Sequence, residues 1–103
     1  MEISKSDIVI SLAGHDKGNV FYVMNTDGVY VFLADGKRRM VDKPKRKKCF
    51  HVRKVLRQDS ILAAKIRSGE QVLNSELRRE LAAIRQEINV STKEGSKTWQ
   101  KTT

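Results

Sequence analysis

Residues 7–24 read DIVISLAGHDKGNVFYVM, and the two apolar runs in this stretch decide the fold. Residues 8–12 (IVISL) are β-branched and apolar, and residues 20–25 (VFYVMN) form a second such run. AGHDKG between them concentrates glycine and charge, which predicts a strand, a loop and a strand. Asn25, Thr26, Asp27 and Gly28 follow as a turn signal, because Asp-Gly supplies the positive φ that tight hairpins need. Residues 29–34 (VYVFLA) predict a third strand, apolar enough to be buried on much of both faces. Asp35-Gly36 predicts a second hairpin turn, after which KRRMVDK alternates less cleanly. Pro44 lacks a backbone donor and suits a loop or an edge. Residues 48–55 (KCFHVRKV) alternate well, with Cys49, His51 and Arg53 on one face and Phe50 and Val52 on the other. Five short strands joined by tight turns within about 55 residues predict a small barrel or partly open roll.

The pattern changes after Leu56. Asp59 is placed to cap a short helix over residues 60–68, with Gly69 just beyond its end. A second helix starts near Asn74 or Ser75, with Glu76 in the first turn, where the helix dipole favours an acid. Leu73, Leu77, Leu81, Ile84 and Ile88 recur at helical spacing and form one stripe. That stripe packs on the barrel or first helix, or serves a protein partner or a second copy of the chain. The expected organisation is a mainly β domain over residues 1–56, a two-helix extension over 57–90 and a disordered polar tail over 91–103. Trp99 in that tail reads as an incidental exposed residue or a partner contact.

At 39% hydrophobic residues, a 103-residue chain fills one small core and not two. Its formal net charge of +9 favours polyanionic partners: RNA, DNA or an acidic membrane surface. The charge is sharply partitioned, with −3 over residues 1–36, +10 over 37–57 and +2 over 58–103. Charge this dense in the middle of a chain disfavours compaction unless a counter-charge is supplied. A nuclear-localisation reading of KPKRKK (43–48) competes poorly, because RRMV and CFHV beside it read as strands. The single cysteine, Cys49, excludes an internal disulfide. MEISKSDIVIS has an acid at position 2 and no sustained apolar run, so no signal peptide or membrane span is expected and the location is cytoplasmic.

DIVISLAGHDKGNVFYVM resembles the KOW motif, a strand–loop–strand unit of ribosomal proteins and transcription elongation factors. Asp7 stands where that family often has an acid, Gly14, Lys17 and Gly18 fall in its loop, and Val20 and Val23 in its returning strand. VFLADG (31–36) before a basic stretch, and then KCFHVRKV (48–55), are similar to the ribosomal-protein-like KOW domains, with their DG turn and closing strand. Many KOW motifs carry a second glycine where this chain has Phe21, which sets it apart from the transcription-factor type. The resemblance covers residues 3–56 and implies an SH3-like five-stranded barrel that binds RNA, often as a ribosomal or ribosome-associated protein. The helical residues inherit nothing from it.

An RNA backbone requires donors and positive charge. The expected contacts are His15, Lys17, Lys37, Arg38, Arg39, Lys43, Lys45, Arg46, Lys47, Lys48 and Arg53. Gly14, Gly18, Gly28 and Gly36 serve loop geometry, and the glycines flanking Lys17 free backbone N–H groups for a phosphate. Phe21, Tyr22, Tyr30, Phe32 and Phe50 fall in strands and read mostly as core, Tyr22 and Tyr30 being the best placed to keep a wet hydroxyl. Structured RNA, with ribosomal RNA foremost, is therefore expected to be met through phosphates with little base readout. Cys49 and His51 without a second ligand pair miss the common zinc spacings, so no metal or cofactor is expected. Asp16 and Asp35 stand in loops without a base, nucleophile or second carboxylate at a recognised spacing, so an enzyme is not expected. The rival reading is an SH3-like protein-interaction module using the amphipathic helix.

Overall fold

The computed structural model describes residues 2–100, with side-chain environments as far as residue 88. Five strands, β1 (Asp7–Ser11), β2 (Val20–Thr26), β3 (Tyr30–Ala34), β4 (Lys45–Lys48) and β5 (Val52–Arg57), precede two helices, α1 (Ile61–Ser68) and α2 (Asn74–Gln100). The strands form one antiparallel sheet in the order β4-β3-β2-β1-β5. β4 and β5 are its two edges, joined by a single 3₁₀ turn at Cys49–His51, so the sheet does not close into a barrel. With a 27-residue helix beside five short strands, the chain as a whole is mixed α/β.

Successive strand residues face opposite ways, and both faces are covered. Ile8, Val20, Tyr22 and Ala34 join Leu62, Ala63 and Ile66 of α1 and Leu77, Leu81 and Ile84 of α2 in one core. Val9, Phe21, Val23, Val31, Leu33 and Val52 form a second core on the other face. Among the described residues neither α-helix contributes to that second core, yet its members are at most 6% exposed. Ile3, from the segment before β1, and Cys49, from the 3₁₀ turn, pack against them. Burial of each such side chain contributes about 1.5–3 kcal/mol, so neither face is dispensable. The helices are therefore part of the fold and not an appendage to a finished barrel. The α2 stripe lies against the sheet: Leu77, Leu81 and Ile84 are buried and Ile88 packs beside them, whereas Leu73 is exposed.

Three local expectations are corrected. The 37–43 stretch is not a strand, because the Oδ1 of buried Asp35 accepts the backbone N–H groups of Lys37, Arg38 and Arg39, each at 2.9 Å, and closes a tight loop. KRKK (45–48) is the fourth strand, and the expected strand over 48–55 is split by the 3₁₀ turn. The cap of α1 is Ser60, whose Oγ accepts the N–H of Ala63 at 3.1 Å; Asp59 meets Arg67 instead. Gly69 ends the helix as expected. Helix α2 runs to Gln100, beyond the point where a disordered tail is expected. Extending a helix already anchored by packing avoids the cost of a new nucleus. The side chain of Trp99 and residues 101–103 lie outside the described residues.

Tyr22 ties the sheet to both helices. Its hydroxyl donates to Glu80, which also accepts from Ser60 at 2.6 Å. Burial first, and then the bond to the Glu80 carboxylate, push the phenol well above its ordinary value of 10.0. A raised phenol pKa stabilises the fold fully below the unfolded value and is lost as pH rises toward the folded one. Denaturant midpoints are therefore expected to fall as pH climbs through 10.0. Tyr22→Phe should flatten that part of the profile; an unchanged slope would remove Tyr22 from the explanation.

Candidate nucleic-acid interface

The register of β4 on β3 sorts the charges of KRKK. Tyr30 is opposite Lys48 and Phe32 opposite Arg46, whereas Val31 is opposite Lys47 and Leu33 opposite Lys45. Arg46 and Lys48 thus stand on the outer face beside half-buried aromatics, and Lys45 and Lys47 turn toward the second core. The Arg46 guanidinium carbon lies 4.4 Å from the centroid of the Tyr30 ring. A cation so placed is held by the ring and remains open to an anion on its far side.

Lys47 is engaged internally. Its Nζ donates to Asp16 Oδ1 at 2.8 Å and to the carbonyl of Ala13 at 2.9 Å, and both side chains are about one-tenth exposed. Burial pushes the Asp16 carboxyl up, but the bonds from Lys47 and Ser11 and the charge of Lys47 outweigh it and hold the group below 3.8. Lys47 is thus a tie between β4 and the 12–19 loop and not a free cation. An inward-pointing charge also protects the exposed edge of β4 from pairing with another chain.

Part of that loop is closed by its own hydrogen bonds. The N–H groups of Lys17, Gly18 and Asn19 donate to Gly14, Ser11 and Asp16 carbonyls. The expected offer of these backbone donors to a phosphate is therefore withdrawn. His15 and Lys17 keep exposed side chains. The N–H of Leu12 donates to the carbonyl of His51 at 2.8 Å, bringing the 3₁₀ turn against the same loop.

A second cationic group forms around a cavity of about 260 Å³ lined by Asn19, Asp35, Lys37, Arg38 and Arg85. Arg85 comes from α2, outside the residues expected at the site. Arg78, two turns earlier on the same helix, donates to the Gly36 carbonyl at 2.6 Å and holds the loop in place. The seven-residue spacing of these arginines, off the apolar stripe, was the available signal. Arg39 is half-buried in the same loop. Lys43 lies in a separate turn, and Arg53 sits opposite Ile10 on the other edge strand. The basic segment is thus divided between the outer face of β4 and the Lys37–Arg38–Arg85 cavity, with Lys43 and Arg53 joined to neither.

Comparison with known protein families and with curated proteins finds no match in either.

Phe50, read as core, is 64% exposed, because the 3₁₀ turn carries it off the strand. Phe21 is fully buried as expected, and Tyr22, expected to keep a wet hydroxyl, is fully buried as well with its hydroxyl donated to Glu80. Among the described residues no three His, Cys, Asp or Glu side chains gather as metal ligands, and no helix is long and apolar enough to cross a membrane.

Proposed function

We propose that this protein binds RNA, meeting structured RNA chiefly through its phosphates, as a KOW-type, SH3-like module acting on or near ribosomal RNA. One observation carries the reading. Among the eleven Lys and Arg of residues 37–57, only Lys47 and Lys54 have a carboxylate partner among the described residues. The remaining cations form no ion pair among the described residues, and a polyphosphate supplies the counter-charge. The strand order, the 3₁₀ turn between β4 and β5 and the presence of a core on each face of the sheet are compatible with a partly open SH3-like roll. Burial of the α2 stripe weighs against that stripe as a docking site for a protein.

Salt tests the proposal. If about five phosphates are contacted, log affinity for a ribosomal RNA fragment should fall against log salt with a slope of about −3.5 to −4.5. The combined variant Lys37→Glu, Arg38→Glu, Arg46→Glu and Lys48→Glu should lose RNA binding and keep its unfolding midpoint, since none of these side chains is buried. A flat salt response, or a quadruple variant that still co-sediments with ribosomes, would refute the reading. Competition by duplex DNA at equal strength would redirect it to DNA.

A further inference from the structure

We infer that Phe50, on the 3₁₀ turn between β4 and β5, is a stacking platform for one unpaired nucleobase of a bound RNA. The inference rests on the RNA reading above and adds base capture to a surface otherwise suited to phosphates. An exposed phenylalanine alone is ordinary; this one is held and flanked. Its ring stacks on His51 with centroids 4.5 Å apart and an interplanar angle of 27°. The Lys48 ammonium lies 5.7 Å from its centroid. The backbone beneath is fixed at both ends, by the Cys49 N–H to the Val29 carbonyl at 2.9 Å and by the Leu12 bond to His51. A ring prearranged in this way loses little freedom when a base settles on it.

The surroundings select the ligand. Phe50 borders a hollow of about 550 Å³ whose wall includes Ile3, Cys49, Val52 and Thr26. That is room for a flat heterocycle beside the ring, reached by displacing the Lys48 side chain where it lies over the ring. Arg46 and Lys48, on the outer face of β4 leading to the turn, supply charge for the phosphates on either side of it. A paired duplex keeps the faces of its bases stacked internally, so only a bulged, looped or terminal base can occupy the site. The base class stays open, because stacking accepts any π-face.

The test uses the full chain and two RNAs: a fully paired hairpin stem, and the same stem with one bulged adenosine. Wild type should bind the bulged stem about tenfold more tightly, the scale of one base stacked on an aromatic ring. Phe50→Ala should erase that difference while leaving affinity for the paired stem and the unfolding midpoint unchanged. Phe50→Tyr should preserve it. Equal binding of both RNAs by wild type, or an equal loss for both in Phe50→Ala, would overturn the inference and leave the phosphate reading standing. Binding to neither RNA at low salt would overturn both, and so the two failures are told apart.

Discussion

Gly36→Ala is expected to lower stability by about 3 kcal/mol or more, enough to unfold much of a domain of this size at modest denaturant. Two costs combine at this position. Its φ of +75° lies in the left-handed region, where a side chain costs about 1–2 kcal/mol. A Cβ there would also stand 2.2 Å from the carbonyl oxygen of Asn74, at the start of α2. Relief would have to come from backbone, and that backbone is pinned: the Asn74 side chain accepts the N–H of Val41 at 2.8 Å. Gly28→Ala is the control. It has a similar φ of +94° with nothing within 4 Å of the added carbon, so only the conformational cost of about 1–2 kcal/mol should appear. Equal losses in the two variants, measured by denaturant unfolding, would contradict the close packing of the 35–39 loop on α2.

Lys47→Met is expected to cost about 3–5 kcal/mol, the scale seen when one partner of a buried ion pair is removed. The loss comes chiefly from Asp16, left charged in a site shielded from water. Its pH dependence follows from the same geometry. In the wild type the lowered carboxyl pKa contributes stability that is present above 3.8 and fades as pH falls through the folded value. Without Lys47, burial is opposed only by the Ser11 bond and a backbone bond, so the Asp16 carboxyl should titrate higher and part of the variant's loss should be recovered as acid protonates it. Adding Asp16→Asn should recover much of the loss, because the uncompensated charge goes with it. Additive losses in this double-mutant cycle would show that the pair does not act as a unit. The 12–19 loop loses its tie in the single variant, so RNA affinity is expected to fall as well, through positioning of Lys17 and not through a lost phosphate contact.

What was legible in the sequence follows from how local each signal is. β1, β2, β3 and the Asp27-Gly28 turn were read correctly because apolar runs and turn residues act over a few positions: Asp27 accepts the N–H groups of Val29 and Tyr30 within its own turn. β4 was not legible. Lysine and arginine have no strand preference, and KRKK is extended only because Tyr30 to Leu33 lies alongside it. The abundance of charge was plain, but its direction was hidden. A slip of one residue would exchange Arg46 and Lys47 between solvent and core, and no pattern within four basic residues reveals that register. Phe50 was misassigned for the related reason that CFHV alternates like a strand although Cys49–His51 turns.

The interleaving of early and late segments in the first core bears on how the chain is made. Tyr22 and Ile8 leave the site of synthesis long before Leu77, Leu81 and Ile84, against which they come to rest. Until those leucines arrive, a nascent chain holding all five strands still has one greasy side open to water, and the 35–43 loop lacks its Asn74 anchor. Its cationic segment is translated first yet acquires a definite shape last, so truncated products ending before α2 should be sticky polycations that meet RNA without discrimination.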